Sequence, residues 1–304
     1  MKNARFGLIG HPIEHSLSPA LFKAGYDGKY PYDLIQGEDF ETSYHRFLQE
    51  YDGVNVTAPF KEAAYAKADI VSDECRLIKA TNLLVRTPDG VKAYNSDLLG
   101  VRMWLMEILN HPSVVRVPEK RTPPTSWAPP PAARGVARFS TPPQPHSTAR
   151  VLIVGTGGAG KAAAVAAASL GMDLILMNRS MEKAEAVAES VAAMDPAPAV
   201  EVRPLEDFRE CFRTADIVIY NIPSAIPALA ELSAEDFNPG HHKFILEANY
   251  KNPSFDKELI MKMMTANPEA TCTKGTTWLL YQALTGYEIF TGEKPDLAPM
   301  SAVL

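Results

Sequence analysis

Ten of the 25 prolines in this chain fall between Pro112 and Pro145, and that cluster governs how the rest can fold. Proline fixes φ and lacks a backbone N–H. The runs PPTSWAPPPAARG and STPPQPHS therefore cannot sustain a helix or a sheet ladder. The spacing predicts an exposed insertion or linker of polyproline II character over 112–149. The 304 residues then resolve into two blocks, 1–111 and 150 onward, each long enough to enclose a core.

Charge follows the same division. Residues 113–150 carry six Arg or Lys against one Glu, whereas the whole chain has a net charge of −6. The two blocks are thus acidic, which argues against nucleic acid or an anionic membrane as the main partner. Cys75, Cys211 and Cys272 are far apart and form no C-x-x-C pair. That usage fits a reducing, cytoplasmic setting and implies no metal, and His241 and His242 lack ligand spacing as well. The apolar stretch near the N-terminus is too short for the core of a secretory signal. No apolar run reaches the ~18 residues of a membrane span.

Both blocks alternate strand-like and helix-like segments. In the first, 6–9, 32–35, 54–57 and 82–85 read as strands. Helices are expected from Ser18, over 40–48, from Pro59 to Ala68 and over 97–110, with Ser18 as N-cap and Pro19 in the first turn. In the second, 151–154, 173–177, 215–220 and 243–247 read as strands, and 158–170, 181–193 and 275–291 as helices. Strands separated by helices predict βαβ units and largely parallel sheets, an α/β chain of two domains.

The second block opens with a cofactor signal. The apolar strand 151–154 runs into Gly155-Thr156-Gly157-Gly158-Ala159-Gly160, which starts a helix. In that context G-x-G-x-x-G lets the backbone turn tightly and approach a pyrophosphate, and the helix N-terminus stabilises its charge. A NAD site places an acid at the end of the next strand. Here that end reads Asn178-Arg179-Ser180, with Lys183 four residues beyond Arg179. A guanidinium and an ammonium there fit a 2′-phosphate, so the expected cofactor is NADP.

The first block carries polar residues that its core does not require. Ser16 and Ser18 stand at a strand-to-helix junction, where hydroxyls and free N–H groups together suit a carboxylate. Asn55 and Thr57 share one side of a strand. Lys61 falls in the first turn of the next helix, where the dipole opposes its ammonium and favours proton donation. Asn82 lies among apolar residues, and Asp97 opens a helix. Capping alone also accounts for Ser18 and for Asp97.

Taken in order, H-S-x-S-P, N-V-T-x-P-x-K, A-x-N, N-x-D, the G-x-G-G-x-G turn, N-R-S and a terminal G-x-x-x-L-x-x-Q helix resemble the shikimate dehydrogenase family. The resemblance spans nearly the whole chain except the proline-rich segment. It implies a substrate domain over 1–111, completed by 275–304, and a Rossmann NADP-binding domain over 150–274. It implies that Ser16 and Ser18 hold the substrate carboxylate, with Tyr250 nearby. Thr57, Asn82, Asp97 and Gln282 would bind ring hydroxyls, and Lys61 and Asp97 would form the catalytic pair. Gly155, Gly157, Gly158 and Ala159, with Asn178, Arg179, Ser180 and Lys183, would bind NADP, and Gly275 would approach the nicotinamide. Helical spacing agrees for Gln282. Leu280, Ala283, Tyr287 and Phe290 make an apolar stripe that leaves Gln282 on the face of residues 275 and 278.

The implied activity is NADPH-dependent, reversible reduction of 3-dehydroshikimate to shikimate in aromatic amino acid (chorismate) biosynthesis, by a monomer or homodimer. Three positions depart from the family pattern. Asn221-Ile222-Pro223-Ser224 replaces N-x-T with its following Gly-Met, Glu247 stands for Asp, and Trp278 for Met. These touch the cofactor side and keep two alternatives open: a quinate/shikimate dehydrogenase using NAD or NADP, and a nucleotide sensor without turnover.

Overall fold

The computed structural model describes residues 4–110 and 149–304. The proline-rich stretch predicted over 112–149 lies outside the described residues except for Ala149. The described residues form two compact units, one of 4–100 with 279–304, the other of 101–110 with 149–278.

In the first unit β1 (Phe6–Gly10) leads through α1 (Ser18–Gly25) to β2 (Tyr32–Gln36), and α2 (Phe40–Glu50) returns to β3 (Gly53–Val56). Then come α3 (Lys61–Ala66), β4 (Ile70–Val71) and α4 (Asp73–Ile78). The hairpin of β5 (Leu83–Thr87) and β6 (Gly90–Tyr94) enters α5 (Ser96–Leu109). The sheet order is β2-β1-β3-β5-β6-β4. β1 is parallel to β2 and β3, and β4 to β6, but β5 runs antiparallel to both β3 and β6. The expected parallel sheet is therefore interrupted by a hairpin. Its tight reversal at Pro88-Asp89, followed by Gly90 at φ 119°, needs no crossover helix. The neighbouring β4 is too short to show any periodicity in sequence.

Adjacent residues of this sheet feed opposite cores, as strand geometry requires. Leu84 packs with Ile9, Phe47, Val54 and Val56 on one side. Leu83 packs with Phe6, Leu21, Phe22, Ala283, Tyr287 and Phe290 on the other. The last three come from the closing helix (Gly275–Thr291), which thus supplies core residues to a unit that begins at the other end of the chain.

The second unit runs β7 (Arg150–Val154), α6 (Gly158–Ser169), β8 (Asp173–Met177), α7 (Met181–Ala192), β9 (Val200–Arg203) and α8 (Phe208–Thr214). It continues with β10 (Ile217–Tyr220), α9 (Pro227–Ala230), β11 (Lys243–Glu247), α10 (Lys257–Ala266) and β12 (Ala270–Lys274). The chain then passes through α11 (Gly275–Thr291) and α12 (Leu297–Ser301), which rejoin the first unit. All five pairings are parallel, in the order β12-β11-β10-β7-β8-β9. The order reverses between β7 and β10, and ligands of such sheets bind beyond the strand ends at that point. Ala162 to Ala168 are all buried, so α6 lies close on the sheet. Among the described residues no helix is long and apolar enough to cross a membrane.

Candidate active site

Lys61 is the first residue of α3, placed there by the turn in which Phe60 N–H donates to the Thr57 carbonyl at 3.0 Å. Its Nζ donates to Asp97 Oδ2 at 2.5 Å, and the side chains are 22% and 8% exposed. The carboxylate is thus the inner member of the pair and the ammonium the outer one. It also offsets the unfavourable helix dipole at Lys61. Capping does not account for Asp97. Asn95 Oδ1 accepts the Leu98 N–H at 3.0 Å and so caps α5. Asn95 Nδ2 donates to the Ala80 carbonyl at 3.2 Å, which ties the start of α5 to the chain just before Asn82.

Asn82 is 5% exposed and lies just ahead of β5. Its Oδ1 accepts the Ser96 N–H at 2.7 Å, and its Nδ2 donates to Ser96 Oγ at 3.0 Å. An amide nitrogen carries two hydrogens, so one remains for a ligand. The Thr81 N–H donates to the Lys61 carbonyl at 3.1 Å, which brings the backbones of the Lys61 and Asn82 segments side by side. Thr57 follows β3, its N–H donating to the Ile9 carbonyl at 2.9 Å. A Cβ on Gly10 would sit 2.4 Å from the Thr57 methyl, so glycine is required there. Gln282 joins the group through its backbone: a Cβ on Gly100, one turn beyond Asp97, would meet Gln282 N at 2.6 Å.

Ser18 is not the N-cap expected from sequence. Leu17 holds that position and Ser18 is the first helical residue. The capping contact comes from Ser16, whose Oγ accepts the Ser18 N–H at 3.2 Å and lies 3.2 Å from Ser18 Oγ. The Ser18 carbonyl accepts from Tyr287 OH at 3.1 Å. Below, Tyr32 OH donates to Asn55 Oδ1 at 2.8 Å, and Asn55 Nδ2 to the Asn82 carbonyl at 3.4 Å. Among the supporting residues, Asn95 stands in the N-x-D motif and Tyr287 in the apolar stripe of the closing helix, whereas Tyr32 and Ser96 carry no signal in sequence because they act across elements.

In the second unit, Gly155 adopts φ 95° and its N–H donates to the Met177 carbonyl at 2.7 Å. The glycine turn is thereby fastened to the residue before Asn178. A Cβ on Gly160 would lie 1.9 Å from the Gly155 carbonyl oxygen, whereas one on Gly157 would meet nothing within 4 Å. That is the arrangement a bound pyrophosphate requires: two glycines that shape the turn and one that leaves room above it. Thr156, between them, is 1% exposed and its hydroxyl has no partner among the described residues. Gly158 and Ala159 open α6, where backbone N–H groups lack helical acceptors. Asn178 Nδ2 donates to the Ser180 carbonyl at 3.1 Å; Ser180 sits at the N-cap position of α7 without a side-chain bond. Arg179 and Lys183 are both exposed beside it.

Gly275 has a packing reason to be glycine. A Cβ there would lie 2.3 Å from the Ala248 carbonyl oxygen. Tyr250 follows in the same loop and is half buried. Trp278 is 5% exposed and therefore packed rather than open. Burial pushes the thiols of Cys75, Cys211 and Cys272 up to about 12, 11 and 12, so none is a ready nucleophile.

Known proteins carry the same pattern. Residues 8–84 match the shikimate dehydrogenase substrate binding domain, and 139–246 match shikimate / quinate 5-dehydrogenase. Shikimate dehydrogenase (NADP(+)) of Thermus thermophilus is 28% identical over 315 residues, covering 97% of this chain and 95% of that protein. The Xanthomonas euvesicatoria protein of the same name is 33% identical over 217 residues, covering 69% and 64%. In fold, the chain is similar to quinate dehydrogenase from Corynebacterium glutamicum in complex with NAD, at TM-score 0.75 and 21% identity over 99% and 98% of the two chains. Two successive domain matches, a relative matched over nearly its full length and a second, more similar one matched over about two thirds lead to one conclusion: the chain belongs to the shikimate dehydrogenase family.

Proposed function

We propose that this protein catalyses the reversible NADPH-dependent reduction of 3-dehydroshikimate to shikimate. The observation that carries the reading is the Lys61–Asp97 pair, 2.5 Å apart, with Asn82 bonded to Ser96 beside Asp97 in sequence. It lies in the unit whose residues match a shikimate dehydrogenase substrate binding domain. A nucleotide sensor needs no such pair.

The first unit would bind the substrate through Ser16 and Ser18 at the carboxylate and through Thr57, Asn82, Asp97 and Gln282 at the ring hydroxyls. The open space above Gly157 and the positive φ of Gly155 fit a dinucleotide pyrophosphate. Gly155, Gly157, Gly158 and Ala159 would hold it, with Asn178, Arg179, Ser180 and Lys183 at the 2′-phosphate end. When bound, NADPH supplies the hydride that the ring ketone carbon accepts. Negative charge then develops on the ketone oxygen, where the Lys61 ammonium stabilises it and delivers the proton from Nζ. Asp97 keeps Nζ oriented and accepts from the adjacent hydroxyl. Solvent reprotonates Lys61 from its outer side.

The test is NADPH oxidation by the purified protein with 3-dehydroshikimate, run beside 3-dehydroquinate and beside NADH. Turnover fastest with 3-dehydroshikimate and NADPH is expected. Preference for 3-dehydroquinate would move the assignment to quinate, preference for NADH would move the cofactor to NAD, and no turnover on any pair would leave a sensor.

A further inference from the structure

Glu247 ends β11 and is 2% exposed. Three peptide N–H groups donate to it. That of Asn249 reaches Oε1 at 2.9 Å, and those of Ser254 and Phe255 reach Oε2 at 2.9 and 3.3 Å. Burial pushes this carboxyl above the usual range, and the three donors pull it back. A buried anion is costly unless its lone pairs are filled, and here peptide donors fill them.

The donors lie two, seven and eight residues beyond the acceptor, so one side chain closes the whole 248–255 segment. Tyr250 sits inside that closure. Asn249 holds it from both flanks. Its Nδ2 donates to the Pro223 carbonyl at 3.1 Å, and its Oδ1 accepts the N–H groups of Lys251 and Asn252 at 3.2 and 3.1 Å. The glutamate's two oxygens thus serve opposite ends of one loop, with the tyrosine between them.

We infer that Glu247 is a positioning residue for substrate recognition: by pinning both ends of its loop it sets the Tyr250 hydroxyl for the substrate carboxylate. The inference rests on the function proposed above and on the family resemblance, which implies that Tyr250 lies near the substrate carboxylate. Glu247→Gln keeps the size but replaces one acceptor oxygen by a donor facing a donor.

The experiment measures KM for 3-dehydroshikimate, kcat, and NADPH affinity by nucleotide fluorescence in the full-length protein. Glu247→Gln should raise KM about tenfold, the loss of roughly one good hydrogen bond. Its kcat should stay within about twofold and its NADPH affinity unchanged. Tyr250→Phe should raise KM similarly, and the double variant should be no worse than either single one. Glu247→Asp keeps a carboxylate and should fall between wild type and Glu247→Gln. If the glutamine variant does not fold, the aspartate variant carries the same comparison with Tyr250→Phe. Wild-type KM in the Glu247 variants, with KM raised in Tyr250→Phe, overturns this inference alone. Additive effects, or equal losses in kcat and NADPH affinity, overturn it too. Wild-type KM in Tyr250→Phe overturns the substrate role of Tyr250 and this inference together.

Discussion

At the scale of single residues the chemistry depends on which member of an ion pair faces outward. Lys61 is the more exposed partner, so it can reach a ketone oxygen while Asp97 holds it from within. Lys61→Ala should lower kcat by ~10²–10⁴, the usual worth of a general acid, with KM little changed. A variant with near-normal kcat would sink the role. Lys243 makes a different residue-scale case. It is buried in β11, and its Nζ donates to the Phe212 and Ala215 carbonyls, each at 2.6 Å, at the end of α8. Burial lowers its pKa from the usual 10.5 to about 8. Between those values the unfolded chain holds a proton that the folded chain has lost. Stability should therefore rise as pH increases from about 8 to 10.5. Urea titrations of wild type and Lys243→Met at several pH values should diverge across this window, by up to ~3 kcal/mol. Parallel curves would show that Lys243 does not titrate there. Neither role could be assigned from the residue alone. The motif marks Lys61, but Lys243 reads as an ordinary strand residue, because its acceptors lie 28 and 31 positions away.

At the scale of elements the site is assembled by caps and glycine contacts. Asn95 caps α5 and reaches Ala80, so Asn95→Ala should cost ~1–2 kcal/mol of stability. It should lower kcat as well, because Asp97 rides on that turn; thermal denaturation and steady-state kinetics together test this. The glycine turn offers a paired test. Gly160→Ala forces a Cβ against the Gly155 carbonyl and should destabilise the fold, whereas Gly157→Ala meets only open space. Gly157→Ala should therefore melt like wild type yet bind NADPH at least tenfold more weakly, about one charge-assisted hydrogen bond. Unchanged affinity would show that the pyrophosphate does not lie there. Many elements were legible because their signals are local. β8, β11 and α11 begin and end where the apolar runs and the glycines indicate. The hairpin of β5 and β6 was not, although Asp89-Gly90 is a turn signal. Its second strand, GVKAY, is short, with only Val91 and Ala93 buried, and pairing with β5 makes it a strand.

Across the whole molecule, the first unit is built from both ends of the chain. Ala283, Tyr287 and Phe290 of α11 share a core with Phe6, Phe22 and Leu83. Removing residues 279–304 should strip that core and abolish amide-exchange protection over 4–100. Retained protection there would mean that the segment folds without α11. By itself the sequence determined the α/β class and the glycine turn with its basic strand end, through short-range rules: periodicity, caps, and glycine where φ must be positive. The order of its motifs, through the family resemblance, added Lys61 and Asp97 as the candidate pair. The tertiary structure alone decided that Lys61 and Asp97 meet across 36 residues, that Asn95 rather than Asp97 caps α5, and that Gln282 seats on Gly100. Each of these depends on sheet register and on how closely two helices approach. Burial of apolar surface distant in sequence sets both, and no local pattern contains that information.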